Sequence, residues 1–160
     1  MSTLLVGLVL VGAMNLLGAV VRGRTKAADL ARGQQLTQQL MTEILNSAYK
    51  EDGSELGADY ILNALLVVIG QETRSQYDDV DDFHGWDETP LFARGGSLIP
   101  NTSGWRRRVA VAWVDPVDPG IVVGSDQGVK RITVTVQRNG QTIAQLACLR
   151  SDGYPPVTPP

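Results

Sequence analysis

The side chains best suited to chemistry in this sequence form a run of acidic residues between positions 72 and 88. Its aspartates lie in the acidic loop, residues 78–88, at Asp78, Asp79, Asp81, Asp82 and Asp87. A flexible loop with several carboxylate and carbonyl oxygens is typical of a calcium site, although an EF-hand needs acids at alternate positions and a glycine at the sixth. The loop therefore predicts either a calcium-binding site or a segment held by caps, turns and salt bridges to Arg106, Arg107 or Arg108.

The one histidine, His84, lies among these aspartates and suggests a catalytic or metal-binding role. A hydrolase would need a second soft metal ligand near it, or a Ser or Cys nucleophile in a recognisable motif. The sequence contains neither, and the single Cys148 excludes a disulfide within the chain and a CxxC site. We predict no catalytic residues and no cofactor other than calcium. Phe83, Trp86 and Trp105 are expected to anchor the acidic loop by burying their rings.

The charges of the chain are divided unevenly along its length. The 160 residues carry a net charge of −3, but residues 51–92 contain eleven acids and one base, whereas residues 93–160 contain eight bases and four acids. Arg106, Arg107 and Arg108 enter a predicted strand, in which alternate side chains face opposite sides of the sheet. A contiguous basic face is therefore not expected, and we predict no nucleic-acid partner.

The C-terminal half has the alternation that is typical of β-strands. Residues 109–114 and 131–136 predict two strands, and Asn139–Gly140 is the favoured pair for a two-residue hairpin leading into a third strand, 141–149. We therefore expect an antiparallel β-meander over residues 106–150. The hairpin sets the expected register as Val136 opposite Ile143, Val134 opposite Gln145, Ile132 opposite Ala147 and Arg131 opposite Cys148.

The first part of the chain is a continuous apolar run. The eighteen residues from Leu4 to Val21 carry no charge, and as a helix they would extend roughly 27 Å and nearly cross a bilayer core. We predict a membrane-embedded helix, with a cleaved secretory signal as the alternative. Arg22, Arg24 and Lys26 follow, and the positive-inside rule would hold the downstream side in the cytoplasm. The residues expected to contact lipid or neighbouring helices are Leu4, Leu5, Val6, Leu8, Val9, Leu10, Val11, Asn15, Leu16, Leu17, Val20 and Val21.

Apolar residues then recur at spacings of three and four, the pattern of an amphipathic helix. No proline lies between Met1 and Leu56, so the two segments predict one helix of about 45 residues, which is too long for the core of so small a domain. Its first half is expected to protrude into lipid or among copies of itself. The predicted apolar stripe is Ala27, Ala28, Ala31, Leu36, Leu40, Met41, Ile44, Leu45 and Ala48.

Together these elements predict an α+β protein, in which a long N-terminal helix, first hydrophobic and then amphipathic, packs on a small C-terminal antiparallel β-meander. A second apolar run, residues 60–69, is too short to span a membrane and is interpreted as a buried helix or strand. The expected divisions of the chain are a membrane or filament-core helix at 1–26, its amphipathic continuation at 27–50, a variable loop region at 51–105, the meander at 106–150 and a proline-rich tail at 151–160.

This architecture resembles that of type IV pilin-like proteins and is most similar to a minor pseudopilin of type II secretion. The stretch STLLVGLVLVGAMNLLGAVV resembles the helix after the prepilin peptidase site, and RITVTVQRNG resembles the C-terminal sheet of small minor pseudopilins. The resemblance implies a non-catalytic filament subunit that waits in the inner membrane as a single-pass protein, with its C-terminal domain in the periplasm. Its implied partners are other pilin-like subunits, membrane lipid and the assembly platform.

The family pattern also includes a short basic leader, a glycine at the cleavage site and a glutamate a few residues later. These do not stand at the start of this sequence, so no residue for cleavage, methylation or glutamate-dependent assembly is assigned. Either this copy departs from the family pattern, or its natural start lies upstream of Met1 and includes an in-frame leader. Its basic residues would reconcile Arg22, Arg24 and Lys26 with a periplasmic domain. The alternative functions are a membrane-anchored periplasmic domain that binds calcium or a partner through the acidic loop, and an anchored hydrolase that uses His84.

Overall fold

The structure is a computed structural model of the chain. It describes residues 2–50, residue 74 and residues 77–153, with side chains from residue 23 onward. Three expectations concern parts that lie outside the described residues. These are the side chains of the apolar run 4–21, the second apolar run 60–69 and the proline-rich tail beyond residue 153.

A long helix and an antiparallel sheet are the main elements of the described chain. Helix α1 spans Ser2–Leu45, about 66 Å at the standard helical rise. A short 3-10 turn at Asp81–Phe83 precedes the sheet. The strands are β1 Asp87–Glu88, β2 Trp105–Trp113, β3 Val129–Arg138 and β4 Gln141–Ser151. Their order in the sheet is β1-β2-β3-β4, and every neighbouring pair is antiparallel. The α+β prediction is therefore confirmed, and β1 is an additional short strand.

Helix α1 packs on the sheet through its C-terminal half. The residues that it contributes to the core recur at spacings of three and four and are Leu36, Leu40, Met41 and Ile44. The opposite side of the main core comes from β2 and β3, through Val109, Val111, Ile132 and Val134. The predicted amphipathic stripe begins earlier in the sequence, but Ala27, Ala28 and Ala31 are exposed. Its last predicted member, Ala48, is also exposed and lies beyond the end of α1 at Leu45. The predicted stripe therefore extends beyond the surface that the sheet covers.

Gly33 lies where α1 makes a close approach to β4. A Cβ atom at this position would lie 2.6 Å from Cγ2 of Ile143, well inside the optimal separation of two carbon atoms. Gly33 is buried, and its carbonyl accepts a hydrogen bond of 2.8 Å from the Thr37 hydroxyl. The missing side chain thus permits the helix and the edge strand to pack together.

The hairpin between β3 and β4 is confirmed, but its register differs from the predicted one. Asn139 and Gly140 form the turn with φ values of 49° and 81°, as the sequence pattern indicated. The pairing then shifts between Val136 and Gln137, so that Ile143 is an extra residue of β4 in a β-bulge. The observed pairs beyond the bulge are Val136 with Ala144, Val134 with Leu146, Ile132 with Cys148 and Arg131 with Leu149.

The predicted register was wrong because alternation along a strand does not reveal where one strand carries an extra residue. Without the bulge, the amide of Gln145 would lie beside Val134 on the apolar face. With it, Leu146 and Cys148 pack against the main core, while Ile143 still packs on the same side of the sheet. Ile143 joins a second core cluster that consists of Leu36, Leu91, Trp105 and Val136.

We expect Gly33→Ala to be markedly less favourable than the matched variant Gly23→Ala. Both substitutions replace a helical glycine and gain up to about 1 kcal/mol of helix propensity. Nothing lies within 4 Å of a methyl group at Gly23, whereas at Gly33 the methyl group overlaps Ile143, a type of overpacking that costs about 1–3 kcal/mol. Urea denaturation should therefore give free energies of unfolding that differ by at least about 1 kcal/mol. Equal stabilities of the two variants, or a cost of Gly33→Ala that is unchanged when it is measured in an Ile143→Ala background, would contradict this packing.

Candidate functional site

The acidic loop is closed by two of its own carboxylates. Oδ2 of Asp82 accepts hydrogen bonds from the backbone N–H groups of Asp78 and Asp79, at 2.9 and 3.2 Å. Oδ1 of Asp79 accepts hydrogen bonds from the backbone N–H groups of Asp81 and Asp82, at 2.6 and 3.1 Å. Short polar side chains commonly hold turns in this way. Both carboxylates are buried, and both bind the backbone of the loop.

Backbone hydrogen bonds attach this loop to the segment that follows α1. The N–H of Ala48 donates to the carbonyl of Asp78 at 2.9 Å, and the N–H of Val80 donates to the carbonyl of Ala48 at 3.1 Å. These two bonds form an isolated parallel bridge. The aromatic residues predicted to anchor the loop are all buried, and they are Phe83, Trp86 and Trp105.

Asp87 lies at the end of the acidic loop and pairs with arginines of β2. It lies opposite Arg108 in the sheet, and its carboxylate accepts hydrogen bonds from Nε of Arg106 at 2.6 Å and from Nε of Arg108 at 2.9 Å. Partial burial opposes ionisation of Asp87, but the hydrogen bonds and charges of the two arginines outweigh it and lower the pKa of Asp87. Salt bridges from the acidic loop to Arg106 and Arg108 are thus present.

The aspartates predicted as calcium ligands have different surroundings. Among the residues that the structure describes, no group of three or more His, Cys, Asp or Glu side chains is arranged to hold a metal ion. Asp78 is exposed, Asp79 and Asp82 bind the loop backbone, Asp81 contacts Lys130, and Asp87 contacts Arg106 and Arg108. The alternative interpretation, a loop held by turns and salt bridges, therefore accounts for the contacts that these carboxylates make.

A buried ion pair joins the acidic loop to β3. The side chain of Lys130 is fully buried, and its Nζ donates hydrogen bonds of 2.7 Å to Oδ2 of Asp81 and to the carbonyl of Tyr49. Nζ also lies 4.0 Å from the centroid of the Tyr49 ring, within the range of a cation–π contact. The ammonium group is therefore held between the acidic loop and the segment after α1.

Tyr49 connects this ion pair to the loop between β2 and β3. Its hydroxyl donates a hydrogen bond of 2.7 Å to Oδ1 of Asp126, and burial together with this bond raises the pKa of Tyr49. Burial also raises the pKa of Asp81, against the opposing effect of Lys130. Oδ1 of Asp81 is buried without a hydrogen-bond partner in the described part of the chain. Because these groups are removed from water, each depends on its partner remaining in place.

A second cluster of charges surrounds Glu88. Its carboxylate accepts hydrogen bonds from Nη1 of Arg74 at 3.2 Å and from Nε of Arg107 at 3.1 Å. Nε of Arg74 also donates to Oε1 of Glu43 on α1, at 2.9 Å. Both guanidinium groups lie over the ring of Trp86, at 5.3 and 5.6 Å from its centroid. The cluster thus connects α1, β1 and β2 on the helix side of the sheet.

Several members of these clusters were not identified as functional or structural partners from the sequence: Tyr49, Arg74, Glu88, Asp126 and Lys130. The alternation of side chains along a strand could have shown from the sequence which charged residues face the core. Lys130 shares the parity of Ile132 and Val134 and therefore faces the core. Arg107 likewise shares the parity of Val109, and it is buried while Arg106 and Arg108 are not, which confirms that the three arginines form no contiguous basic face. Tyr49 and Arg74 lie outside the strands, so no such signal applies to them.

His84 and Cys148 both contact the sheet. Nδ1 of His84 accepts a hydrogen bond of 3.2 Å from the N–H of Val111, which joins the end of the 3-10 turn to β2. Cys148 is a half-buried free thiol that packs against the main core. It lies opposite Ile132 rather than opposite Arg131, because the bulge moves β4 by one residue.

The part of α1 beyond the sheet has an exposed surface of its own. Leu30 is 49% exposed, and Ala27, Ala28 and Ala31 are exposed in the same turns. The residues predicted to contact lipid or neighbouring helices, between Leu4 and Val21, have side chains outside the described residues. Among the residues described with side chains, no helix has both the length and the apolar character that crossing a membrane requires.

We expect Lys130→Met to lower the free energy of unfolding by about 3–5 kcal/mol, because it leaves the carboxylate of Asp81 buried without a counter-ion. Adding Asp81→Asn should recover much of this loss, since no buried charge then remains. The control is Lys50→Met, which removes a 42% exposed side chain paired with Asp126 at 3.6 Å and should cost less than about 1 kcal/mol. Urea denaturation measures all three, and equal losses in the single and double variants would contradict this interpretation.

Protonation of Asp87 is expected to lower the stability of the protein in acid. Because its pKa is lowered by folding, its stabilising contribution is fully present above the unfolded pKa of about 3.9 and is lost as the pH falls through the folded pKa. Between about pH 5 and pH 2, the thermal midpoint of the parent protein should therefore fall more steeply than that of Asp87→Asn. Parallel curves for the two proteins would show that Arg106 and Arg108 do not stabilise the ionised form.

The chain was compared with protein-family models, with curated proteins and with solved structures, and none of them matches it. A proposal for its function therefore rests on the residues of the chain itself. The relevant features are the long helix, the exposed residues of that helix and the charged clusters around the sheet.

Proposed function

We propose that this chain is a structural, minor subunit of a type IV pilus or of a type II secretion pseudopilus. Its N-terminal helix anchors the subunit in the inner membrane and later packs against the helices of neighbouring subunits in a filament. The sheet domain stays on the periplasmic side. The partners are other pilin-like subunits, membrane lipid and the assembly platform, and no chemical step is part of this function.

The observation that carries the proposal is the length of α1 compared with the sheet that covers it. The helix spans Ser2–Leu45, but its first buried residue among those described is Gly33. About 30 residues, roughly 45 Å of helix, therefore precede the part that packs on the sheet. A helix whose sequence is apolar on every face needs lipid or other helices around it. When the subunit moves from the membrane into a filament, neighbouring helices would replace lipid around this segment.

The composition of this segment supports packing between helices. Its small residues, which permit close approach of two helix backbones, are Gly7, Gly12, Ala13, Gly18 and Ala19. Asn15 is its one amide, and an amide can form a hydrogen bond across a helix interface. The leucine and valine residues are compatible with lipid chains and with neighbouring helices alike. The same segment is therefore suited to both environments.

The exposed residues next to the sheet domain extend this surface. Ala27, Ala28 and Ala31 are small, and Leu30 adds an apolar side chain that is 49% exposed. Small residues beside a larger apolar one allow another helix to approach closely and bury area. This stretch connects the apolar run to the half of α1 that packs on the sheet, so it is the described part of the proposed interface.

We expect Leu30→Asp to reduce incorporation of the subunit into filaments by at least about tenfold, since an unpaired carboxylate buried between helices costs more than about 1.4 kcal/mol. The measurement is the amount of the chain recovered in the sheared or cross-linked filament fraction of cells that produce the full assembly system. The fold should be unaffected, because Leu30 lies outside both core clusters.

The matched control is Val117→Asp, which places the same charge at a 93% exposed position in the loop between β2 and β3. This variant should assemble like the parent protein, and both variants should keep the thermal midpoint of the parent. If Leu30→Asp assembles normally, the exposed stripe is not an interface. If the parent chain is never recovered with filaments, the proposed function itself is wrong.

A further inference from the structure

A cavity of about 390 Å³ lies between the polar face of α1 and the loop that connects β1 to β2. Its volume is in the range of sites that hold a small molecule or a short stretch of peptide. It is separate from the helix surface proposed above for assembly. The charged residues that line it are Arg32, Glu43, Arg74, Arg94 and Arg107.

The cavity carries more positive than negative charge. Among its lining residues that the structure describes, four are arginines and one, Glu43, is acidic. Two of the arginines, Arg74 and Arg107, are already paired, because Glu43 and Glu88 accept their hydrogen bonds. Counting four arginines against these two glutamates leaves two positive charges, which belong to Arg32 and Arg94. These two arginines come from different elements that line the cavity, one from α1 and one from the loop between β1 and β2.

Arg94 is presented to the cavity by a tight turn. The N–H of Ala93 donates to the carbonyl of Ser97 at 2.8 Å, and the N–H of Gly96 donates to the carbonyl of Ala93 at 2.9 Å. Gly96 has a φ of +80°, a backbone conformation that favours glycine. Arg94 lies within this turn, is exposed and forms no ion pair with any residue that the structure describes. Its charge is therefore available to a ligand.

Arg32 also retains hydrogen-bond donors. Its Nη1 donates to Oε1 of Gln35 at 3.0 Å, within the same helix, and its Nη2 lies 3.4 Å from the carbonyl of Pro100, longer than a normal N–H···O bond. Neither acceptor is charged. A guanidinium group has five N–H donors in a planar fork that matches a carboxylate, so a carboxylate here would gain charge-assisted bonds.

We propose that this cavity binds an acidic peptide segment of a partner protein, with a carboxylate between Arg32 and Arg94. The excess of two positive charges suits one or two carboxylates, whereas Glu43 in the wall would repel a more highly charged polyphosphate. Residues 51–59 of this sequence carry four acids and no base, so a peptide of this sequence is a suitable probe for that chemistry. The proposal does not depend on the filament function.

The test is a titration of the full chain, in non-ionic detergent, with a terminally blocked peptide of sequence EDGSELGAD, residues 51–59. Isothermal calorimetry gives the dissociation constant, and NMR shift changes report whether the cavity residues respond. The peptide should bind, binding should weaken as salt is added, and Arg32→Gln combined with Arg94→Gln should weaken it by about tenfold or more. Neither arginine belongs to the core, so the double variant should keep the thermal midpoint of the parent.

Three controls make the result specific. Arg24→Gln removes an equal charge from an exposed position of α1 outside the cavity, and it should leave the affinity within about twofold of the parent value. The peptide with Gln and Asn in place of its acids should not bind. Glutarate supplies free carboxylates, and binding as tight as that of the peptide would overturn the assignment to a peptide. No response to the peptide at millimolar concentration, or an equal loss in Arg24→Gln, would overturn the proposal.

Discussion

The arrangement of the domain depends on the buried ammonium group of Lys130. Its Nζ binds the carboxylate of Asp81 and the carbonyl of Tyr49, so one buried group holds β3, the acidic loop and the segment after α1 together. A buried charge is stable only while its partners are present, which makes the three segments interdependent. Hydrogen bonds between Ala48 and the loop act at the same place. Helix, loop and sheet are thus joined by polar contacts as well as by the apolar core.

Part of the uneven distribution of charge along the chain is balanced in space among the described residues. Acids from the segment before β2 pair with bases in β2 and β3: Asp81 with Lys130, Asp87 with Arg106 and Arg108, and Glu88 with Arg107. The acidic loop therefore supplies counter-ions to the sheet through Asp81, Asp87 and Glu88. Arg32 and Arg94 have no such counter-ion among the described residues. The cavity beside α1 differs from other exposed basic positions because it brings two such arginines to one cavity.

Close packing at Gly33 marks where α1 begins to belong to the domain. From this position onward the helix is covered on one side by the sheet, and before it the described side chains are largely exposed. The part of α1 before Gly33 is therefore available to contact lipid or other helices, and the proposed filament function uses this part. The cavity lies beside the polar face of the part that the sheet covers. The two proposals therefore concern different surfaces of one helix.

The sequence by itself determined the periodic features of this protein: one long helix, three alternating strands, the Asn139–Gly140 turn and the burial of Phe83, Trp86 and Trp105. Each of these depends on local spacing or on the apolar character of a side chain. Only the tertiary structure decided the bulge at Ile143, the short strand β1 and the partners of Asp81 and Glu88. An extra residue in one strand, or a pair such as Lys130 with Asp81, depends on distances between segments that are remote in sequence. Periodicity can assign Lys130 to the core side of β3, but the carboxylate that neutralises it is selected by how the acidic loop packs against the sheet.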